Sequence, residues 1–273
     1  MSEHLMYTVL AKYYDAIYRD YLRSVVPKLV SAYEECFRKF AKREIKKVLD
    51  VACGTGGPTL ELASRGYSVV GADLHREVIE LAREKAKKLG LKVEFVVCDA
   101  RELSKVFSKE SFDAVTMFFT SIAYMKELND LMKFLKSVKY VLKEGGIFVA
   151  DSPNPHEFMF KLGGGGGEGK CVVWDAEGLE RGEYLVLTDW KEMIDWVNCV
   201  NKFKRLVTIV KEGGISRSYL VSDTLRLYTA TEFKLIANLV GFSESKVMCY
   251  LGGRVLEPSN GGRCSRLLFI ATA

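Results

Sequence analysis

The sequence predicts an α/β protein whose main sheet is mostly parallel and carries helices on both faces. Three observations support this fold class. Short apolar runs alternate with helix-like segments across residues 45–150, and such alternation requires right-handed crossovers between parallel strands. A glycine-rich turn directly follows the first apolar run. Longer, partly alternating runs between residues 171 and 227 predict an antiparallel sheet inserted before the last core elements.

Composition and charge limit the classes of protein to consider. The chain has 273 residues, 48% of them hydrophobic, which suffices for one large core or a core with an insertion. No apolar run approaches the ~18 residues of a membrane span, and the N-terminus lacks a signal-peptide pattern. We therefore expect a cytoplasmic protein without a membrane partner. The net charge of +5 is spread over interleaved bases and acids, which does not favour nucleic acid as a partner. The absence of glutamine, with abundant Lys, Arg and Glu, is a thermophile-like bias.

The cysteines do not form a recognisable metal or redox motif. The chain contains seven of them and no CxxC pair, so we predict no metal site. Most lie in apolar or strand-like surroundings, which predicts that they pack in the core. These cysteines are Cys53, Cys98, Cys171, Cys199 and Cys249.

The stretch Lys46–Gly57 organises the rest of the chain. An apolar run predicts a strand buried on both faces, and the glycine turn after it leads into a helix. In this geometry the turn brings backbone N–H groups to a ligand at a helix N-terminus. A dinucleotide-binding loop would have a third small residue where this chain has Thr59, and Asp50 would repel a pyrophosphate. The same carboxylate attracts a cationic group such as an α-ammonium.

Acidic residues also end the next two predicted strands. Asp73 closes the second strand, about twenty residues after the glycines, where an acid accepts hydrogen bonds from ribose hydroxyls. Asp99 follows the third strand, and Phe118 ends the fourth. The carboxyl ends of parallel strands share one edge of the sheet. We therefore expect Asp50, Asp73 and Asp99 to converge on one ligand.

Three segments resemble the class I S-adenosylmethionine (SAM) methyltransferases. Asp50, Gly54 and Gly56 match motif I, D/E-x-x-x-G-x-G, and residues 142–151, LKEGGIFVAD, are similar to the L(K/R)PGG turn and fifth strand, with Glu144 in place of proline. The segment YYDAIY at residues 13–18 resembles the YYD-x-x-Y segment of small-molecule enzymes, including sugar N,N-dimethyltransferases. The resemblance implies a Rossmann-like fold with a mostly parallel seven-stranded sheet, here with the inserted antiparallel sheet.

The resemblance also implies which residues hold SAM and which act on the acceptor. The expected cofactor-binding residues are Tyr14, Asp50, Ala52, Cys53, Gly54, Thr55, Gly56, Asp73, Leu74, Asp99, Ala100 and Phe118. In this interpretation the glycine turn and Asp50 hold the methionine end, Asp73 the ribose and Asp99 the adenine. The candidate catalytic residues are Tyr14, Tyr18, Tyr124 and His156, and Asp151 is a further candidate base.

The expected organisation has three parts. Residues 1–43 form a helical lid, residues 44–151 and 228–273 form the SAM-binding core, and residues 152–227 form the inserted sheet at the substrate site. Residues 163–167 are consecutive glycines, predicted to form a loop. The predicted activity is methyl transfer to an N or O atom of a small molecule. The alternatives are an RNA methyltransferase of the N7-guanine type, a non-catalytic binding protein with a degenerate core, and an NAD-dependent oxidoreductase; a homodimer is left open.

Overall fold

Two β-sheets organise the protein, of which the computed structural model describes residues 4–158, 169–174, 179–211, 214–258 and 264–273. The predicted glycine loop at residues 163–167 lies outside the described residues. The strands, in chain order, are β1 (Lys47–Val51), β2 (Ser68–Asp73), β3 (Glu94–Val97), β4 (Phe112–Met117), β5 (Leu142–Pro153), β6 (Gly169–Trp174), β7 (Tyr184–Asp195), β8 (Val200–Lys211), β9 (Gly214–Arg226), β10 (Glu244–Leu251), β11 (Arg254–Leu256) and β12 (Arg266–Thr272).

Helices cover both faces of the larger sheet. Their apolar faces pack on strands that are buried almost throughout, which is the layered arrangement of α/β proteins. The helices are α1 (Tyr14–Ile17), α2 (Arg19–Ser24), α3 (Val26–Phe40), α4 (Gly57–Ser64), α5 (Arg76–Lys88), α6 (Leu128–Val141) and α7 (Ala230–Val240).

The larger sheet confirms the predicted α/β fold and adds one strand to it. Its order is β11-β10-β12-β5-β4-β1-β2-β3, with parallel pairing from β5 through to β3 and antiparallel pairing of β12 with both β5 and β10. Seven strands are expected from the sequence. The eighth is β11, which forms because the chain turns back after β10 and pairs with it at the sheet edge.

The strand order creates a crevice beside the glycine turn. β1 pairs with β2 on one side and with β4 on the other, so the chain changes direction of winding at β1. Ligands of open α/β sheets bind at such switch points, outside the carboxyl ends of the strands. The glycine turn, the end of β2 and the end of β4 all lie there.

The inserted sheet is antiparallel, as predicted, and its order is β6-β7-β8-β9. The N-terminal segment packs against it: Met6 and Leu10 share a cluster with Leu185 and Val207. This segment is less regular than the predicted helices, because short 3-10 turns precede α1 and α2. Of the helices in the N-terminal segment, α3 packs on the core sheet with seven buried residues, and α2 reaches the same cluster through Leu22. The residues before α3 therefore connect the two sheets.

The cysteines depart from the predicted core packing at one pair. Cys249 on β10 and Cys264 form a disulfide, with their Cα atoms 5.5 Å apart, and so close the loop that contains β11. The sequence pattern carries no sign of this pairing. Cys53 and Cys98 are buried and free, Cys199 is free and half-buried, and the prediction for Cys171 falls on a side chain outside the described set. In the ranges that the structure describes, no helix is both long and apolar enough to cross a membrane.

Candidate functional site

The glycine turn after β1 uses its two motif glycines for different physical reasons. Gly54 has a φ of +54°, and a Cβ built on it would meet no atom within 4 Å, because it faces an open cavity. Gly56 has a φ of +84°, and a Cβ there would come within 3.1 Å of the Cβ of Ala82 on α5. Gly56 therefore allows helix packing and does not line the cavity, which corrects its predicted role as a ligand contact.

The cavity above the turn has a volume of about 330 Å³. It brings together most of the site residues predicted from the sequence, although they come from five separate segments. These residues are Tyr14, Ala52, Cys53, Gly54, Thr55, Asp73, Leu74, Asp99, Ala100 and Tyr124. His4, Tyr7 and His75 also line it and were not among the predicted site residues.

Asp73 fixes the geometry of this cavity at the end of β2. The residue is 7% exposed. One carboxylate oxygen accepts a hydrogen bond from the backbone N–H of Gly54 at 2.9 Å, and the other accepts from the N–H of His75 at 3.0 Å. The carboxylate thereby joins the glycine turn to the start of α5, and both of its oxygens retain lone pairs for a ligand.

Asp99 lines the cavity beyond the end of β3 and belongs to a chain of charged side chains. Arg101 contacts Asp99 at 2.7 Å and Asp130 at 3.1 Å. Hydrogen bonding from Arg101 lowers the pKa of Asp99, so this carboxylate stays ionised. Asp99 also accepts from the backbone N–H of Arg101, which caps the short helical segment after β3.

Asp50 does not face the cavity, which corrects the prediction that it contacts the methionine end directly. It is 1% exposed and lies beneath the turn, where its carboxylate accepts from Thr59 Oγ1 at 2.5 Å and from Thr116 Oγ1 at 2.9 Å. Burial raises the pKa of Asp50 to about 7, although the two hydroxyls counteract this shift. β1 is buried on both faces, so the sequence pattern could not tell which side chain faces the ligand.

The structure corrects three further site predictions. Phe118 is buried and stacks on Tyr33 with ring centroids 4.1 Å apart, outside the cavity; its neighbour Phe119, with a φ of +60°, lines the cavity instead. His156 is exposed and lines no described cavity. Asp151 is fully buried in an ion pair with Arg266 and accepts from the backbone N–H of Phe119. It therefore stabilises the end of the sheet and does not face a reacting group.

A second cavity, of about 310 Å³, adjoins the first. Its walls come from the N-terminal tyrosines, from the ends of the core strands and, through Phe203 and Leu225, from the inserted sheet. Tyr18, a predicted catalytic residue, lines this second cavity. The residues that line both cavities are Tyr7, Tyr14, Leu22, Phe119 and Tyr124.

Asp15 connects the N-terminal segment to the glycine turn. One of its carboxylate oxygens accepts from Thr55 Oγ1 and the other from Lys85 Nζ on α5, both at 2.6 Å. The inserted sheet holds the same segment from the other side, where Arg205 donates to the Tyr18 hydroxyl at 2.7 Å. The segment, whose Tyr14 lines both cavities, is thus held by the core on one side and by the inserted sheet on the other. Asp15 lies within the YYDAIY segment, and this position is the feature of the sequence that could have marked it as a site residue.

A buried polar chain crosses from the N-terminal segment to the inserted sheet. The hydroxyls of Tyr7 and Tyr124 are 3.0 Å apart, and the Tyr124 hydroxyl donates to the Asp223 carboxylate at 2.8 Å. Burial raises the pKa of both tyrosines well above the usual value. Neither Tyr7 nor Asp223 was predicted. Asp223 lies in an ordinary alternating strand pattern, which carries no signal for this contact.

Comparison with known proteins places this geometry in a family. Residues 48–146 match the model of a methyltransferase domain. A putative methyltransferase from Geobacillus is 32% identical over 44% of this chain and 48% of its own length. The chain thus spans about half the length of this curated relative.

Two longer alignments extend the similarity beyond the core. The cypemycin N-terminal methyltransferase of Streptomyces is 31% identical, covering 74% of each chain. The solved sugar N-methyltransferase KedS8 from Streptoalloteichus superposes with a TM-score of 0.73 over 95% of this chain and 92% of its own; at 20% identity it shows the shared fold. Since a 31% identical methyltransferase aligns over most of both chains, this protein belongs to the class I SAM-dependent methyltransferase family.

Proposed function

We propose that the protein transfers the methyl group of SAM to a nitrogen or oxygen atom of a small molecule bound in the second cavity. The observation that carries this proposal is the junction of the two cavities. One lies over the glycine turn and the other under the inserted sheet, and five residues line both. A donor in the first cavity and an acceptor in the second would therefore lie next to each other.

The residues of the first cavity fit SAM. The open space over Gly54 allows a ligand to approach the backbone closely. The two oxygens of Asp73 suit the two adjacent hydroxyls of a ribose, and the segment at Asp99 and Ala100 suits the adenine edge. When bound, SAM supplies a methyl group on a sulfonium, whose carbon–sulfur bonding electrons leave with the sulfur. These assignments rest on the family and on the cavity lining.

The second cavity supports a small-molecule acceptor over RNA. Its volume, about 310 Å³, lies at the lower end of typical small-ligand sites, and its lining is mostly aromatic. A duplex or loop of RNA needs a basic groove, whereas Arg266 in this cavity is already paired with Asp151. Alignment of donor and acceptor in an enclosed site is worth about 7–11 kcal/mol of the barrier at best.

The proposed division of the chain follows from these contacts. Residues 44–151 and 228–273 act as the cofactor core, residues 1–43 as a lid and residues 152–227 as a cap over the acceptor. The lid contacts the core through Asp15 and the cap through Tyr13, whose hydroxyl donates to the buried Glu183. KedS8 is named as a sugar N-methyltransferase and the Streptomyces relative as an N-terminal methyltransferase, and both names support nitrogen as the acceptor atom.

The test has a binding step and a transfer step. Calorimetry on the full chain should give micromolar binding of SAM and S-adenosylhomocysteine and no binding of NAD. Incubation with SAM carrying a labelled methyl group and a panel of small amines, phenols and alcohols should then label an acceptor. Binding of NAD in place of SAM would support the oxidoreductase alternative. Binding of SAM with transfer to short RNAs alone would refute the small-molecule proposal.

A further inference from the structure

The buried chain of Tyr7, Tyr124 and Asp223 has a defined direction. Near neutral pH an ionised carboxylate only accepts hydrogen bonds, so the single proton of Tyr124 points to Asp223 at 2.8 Å. The 3.0 Å contact between the two phenols then requires Tyr7 to donate to Tyr124. Each phenolic oxygen keeps lone pairs, and both tyrosines line both cavities. The junction of the cavities therefore presents hydrogen-bond acceptors to a ligand.

The carboxylate at the end of this chain is poorly solvated. Asp223 is 9% exposed, and its second oxygen accepts from the backbone N–H of Thr224 at 3.1 Å. Both hydrogen bonds come from neutral groups. Desolvation raises the pKa of Asp223, although Tyr124, Thr224, His4 and Lys126 act to lower it. A negative charge in such surroundings favours a cation nearby.

Aromatic rings surround the same junction. The Tyr14 ring lies 5.9 Å from that of Tyr7 and 4.7 Å from that of Tyr18, measured between centroids. The ring of Tyr124 lies 6.0 Å from that of Tyr7 and nearly perpendicular to it. Clustered aromatic faces attract ammonium groups through cation–π contacts. An ammonium group is thus favoured by the phenolic oxygens, by the buried carboxylate and by the aromatic rings.

Building on the proposed function, we propose that the acceptor is an amine, held as an ammonium by the oxygens of Tyr124 and Tyr7, and that Asp223 acts through Tyr124 as the acceptor of its proton. Asp223 is a positioning residue, because Tyr124 stands between it and the ligand. The inserted sheet, which carries Asp223 on β9, would then take part in the reaction as well as covering the site.

The proton and electron movements balance. The ammonium gives one proton to the oxygen of Tyr124 while the proton of Tyr124 moves to the Asp223 carboxylate. The freed nitrogen lone pair forms the new bond to the methyl carbon, and the electrons of the broken carbon–sulfur bond stay on sulfur. The product is a methylated ammonium. Asp223 returns its proton to water after the product leaves, and no further reactant is needed.

The test measures binding, so it does not depend on turnover. The full chain, saturated with S-adenosylhomocysteine, is titrated by calorimetry with benzylamine and with benzyl alcohol, which has nearly the same shape and no charge. We expect the wild type to bind benzylamine about tenfold more tightly, as charge-assisted contacts of this kind give. Asp223→Asn and Tyr124→Phe should each remove this preference. Asp223 lines neither cavity, so Asp223→Asn should leave the affinity for S-adenosylhomocysteine unchanged.

The matched control is Asp195→Asn, the same chemical change at the last residue of β7 in the same sheet. It should keep the preference for benzylamine. Lowering the pH through the raised pKa of Asp223 should abolish the preference in the wild type. Equal affinities for the two compounds in the wild type, or a preference that survives in Asp223→Asn, would overturn the proposal. Failure to bind S-adenosylhomocysteine would instead count against the proposed function, and the two failures are therefore distinguishable.

Discussion

The two walls of the site are built in opposite ways. On the core side, the glycine turn and Asp73 are joined by a contact between residues only 19 positions apart, at the ends of adjacent strands. On the lid and cap side, Tyr13 contacts Glu183 across 170 positions and Tyr124 contacts Asp223 across 99. The first wall follows from local sequence order and the second from the docking of distant segments.

Because of this difference, we expect the two walls to respond differently to substitutions. The core wall is anchored in β1 and β2, which are buried beyond their first residues, so we expect it to stay formed when the segment before α3 is displaced. Within residues 1–43, α3 packs on the core sheet, whereas Asp15 joins the segment before α3 to the glycine turn and α5 through polar contacts. We therefore expect changes in the core wall to affect the cofactor itself and changes in the other wall to affect closure and the acceptor.

The strongest test of this comparison is Asp73→Ala. The substitution removes the two carboxylate oxygens proposed to hold the ribose and leaves the N–H of Gly54 without its partner. Loss of charge-assisted hydrogen bonds should lower the affinity for SAM about 100-fold. Calorimetry measures the affinity for SAM, and Glu80→Ala on the exposed face of α5 is the control. An affinity within about twofold of wild type would show that the core wall is not the cofactor site.

A smaller effect is expected from Asp15→Ala, which frees the segment before α3 from the glycine turn and α5. Loss of the contacts to Thr55 and Lys85 should weaken binding of S-adenosylhomocysteine about tenfold. It should also speed amide hydrogen exchange in residues 5–24 while β1 and β2 stay protected. Asp20→Ala is the matched control, because that carboxylate is 94% exposed on α2. Unchanged amide exchange in residues 5–24 would contradict the inference that Asp15 holds this segment on the core.

The smallest effect concerns Asp50, which belongs to the core wall but contacts no cavity. Its pKa is raised from 3.8 to about 7, so its favourable contribution to the unliganded fold is complete in acid and is lost as the pH rises to about 7. Binding of SAM, which carries net positive charge, favours the ionised carboxylate. The affinity for SAM should therefore rise several-fold as the pH increases through about 7.

The variant Asp50→Asn cannot ionise and should show no such pH dependence. S-adenosylhomocysteine lacks the sulfonium charge, so its affinity should depend less on pH than that of SAM in the wild type. Calorimetry over this pH range measures both ligands. A pH dependence that persists in Asp50→Asn would assign the titration to another group.

The main sheet, the inserted sheet and the turn at which the cavity forms all follow from the order of residues along the chain. Alternation of apolar runs and helices fixes a parallel sheet, and residues at strand ends share one edge. The spacing of Gly54 and Asp73 is therefore enough to predict that they lie close together. The extra strand β11 and the Cys249–Cys264 disulfide do not follow in this way, since cysteine spacing does not specify a partner.

Which side chains face the ligand depends instead on tertiary packing. In strands buried on both faces the sequence pattern does not distinguish the two directions, and so Asp50 and Phe118 were expected in the cavity although they pack away from it. The contact between Tyr124 and Asp223 depends on how the inserted sheet docks on the core, which is set by burial summed over distant segments. The spacing of residues along the chain therefore does not predict this contact. The proposed cofactor side could thus be predicted from sequence order, whereas the proposed acceptor side depends on long-range packing.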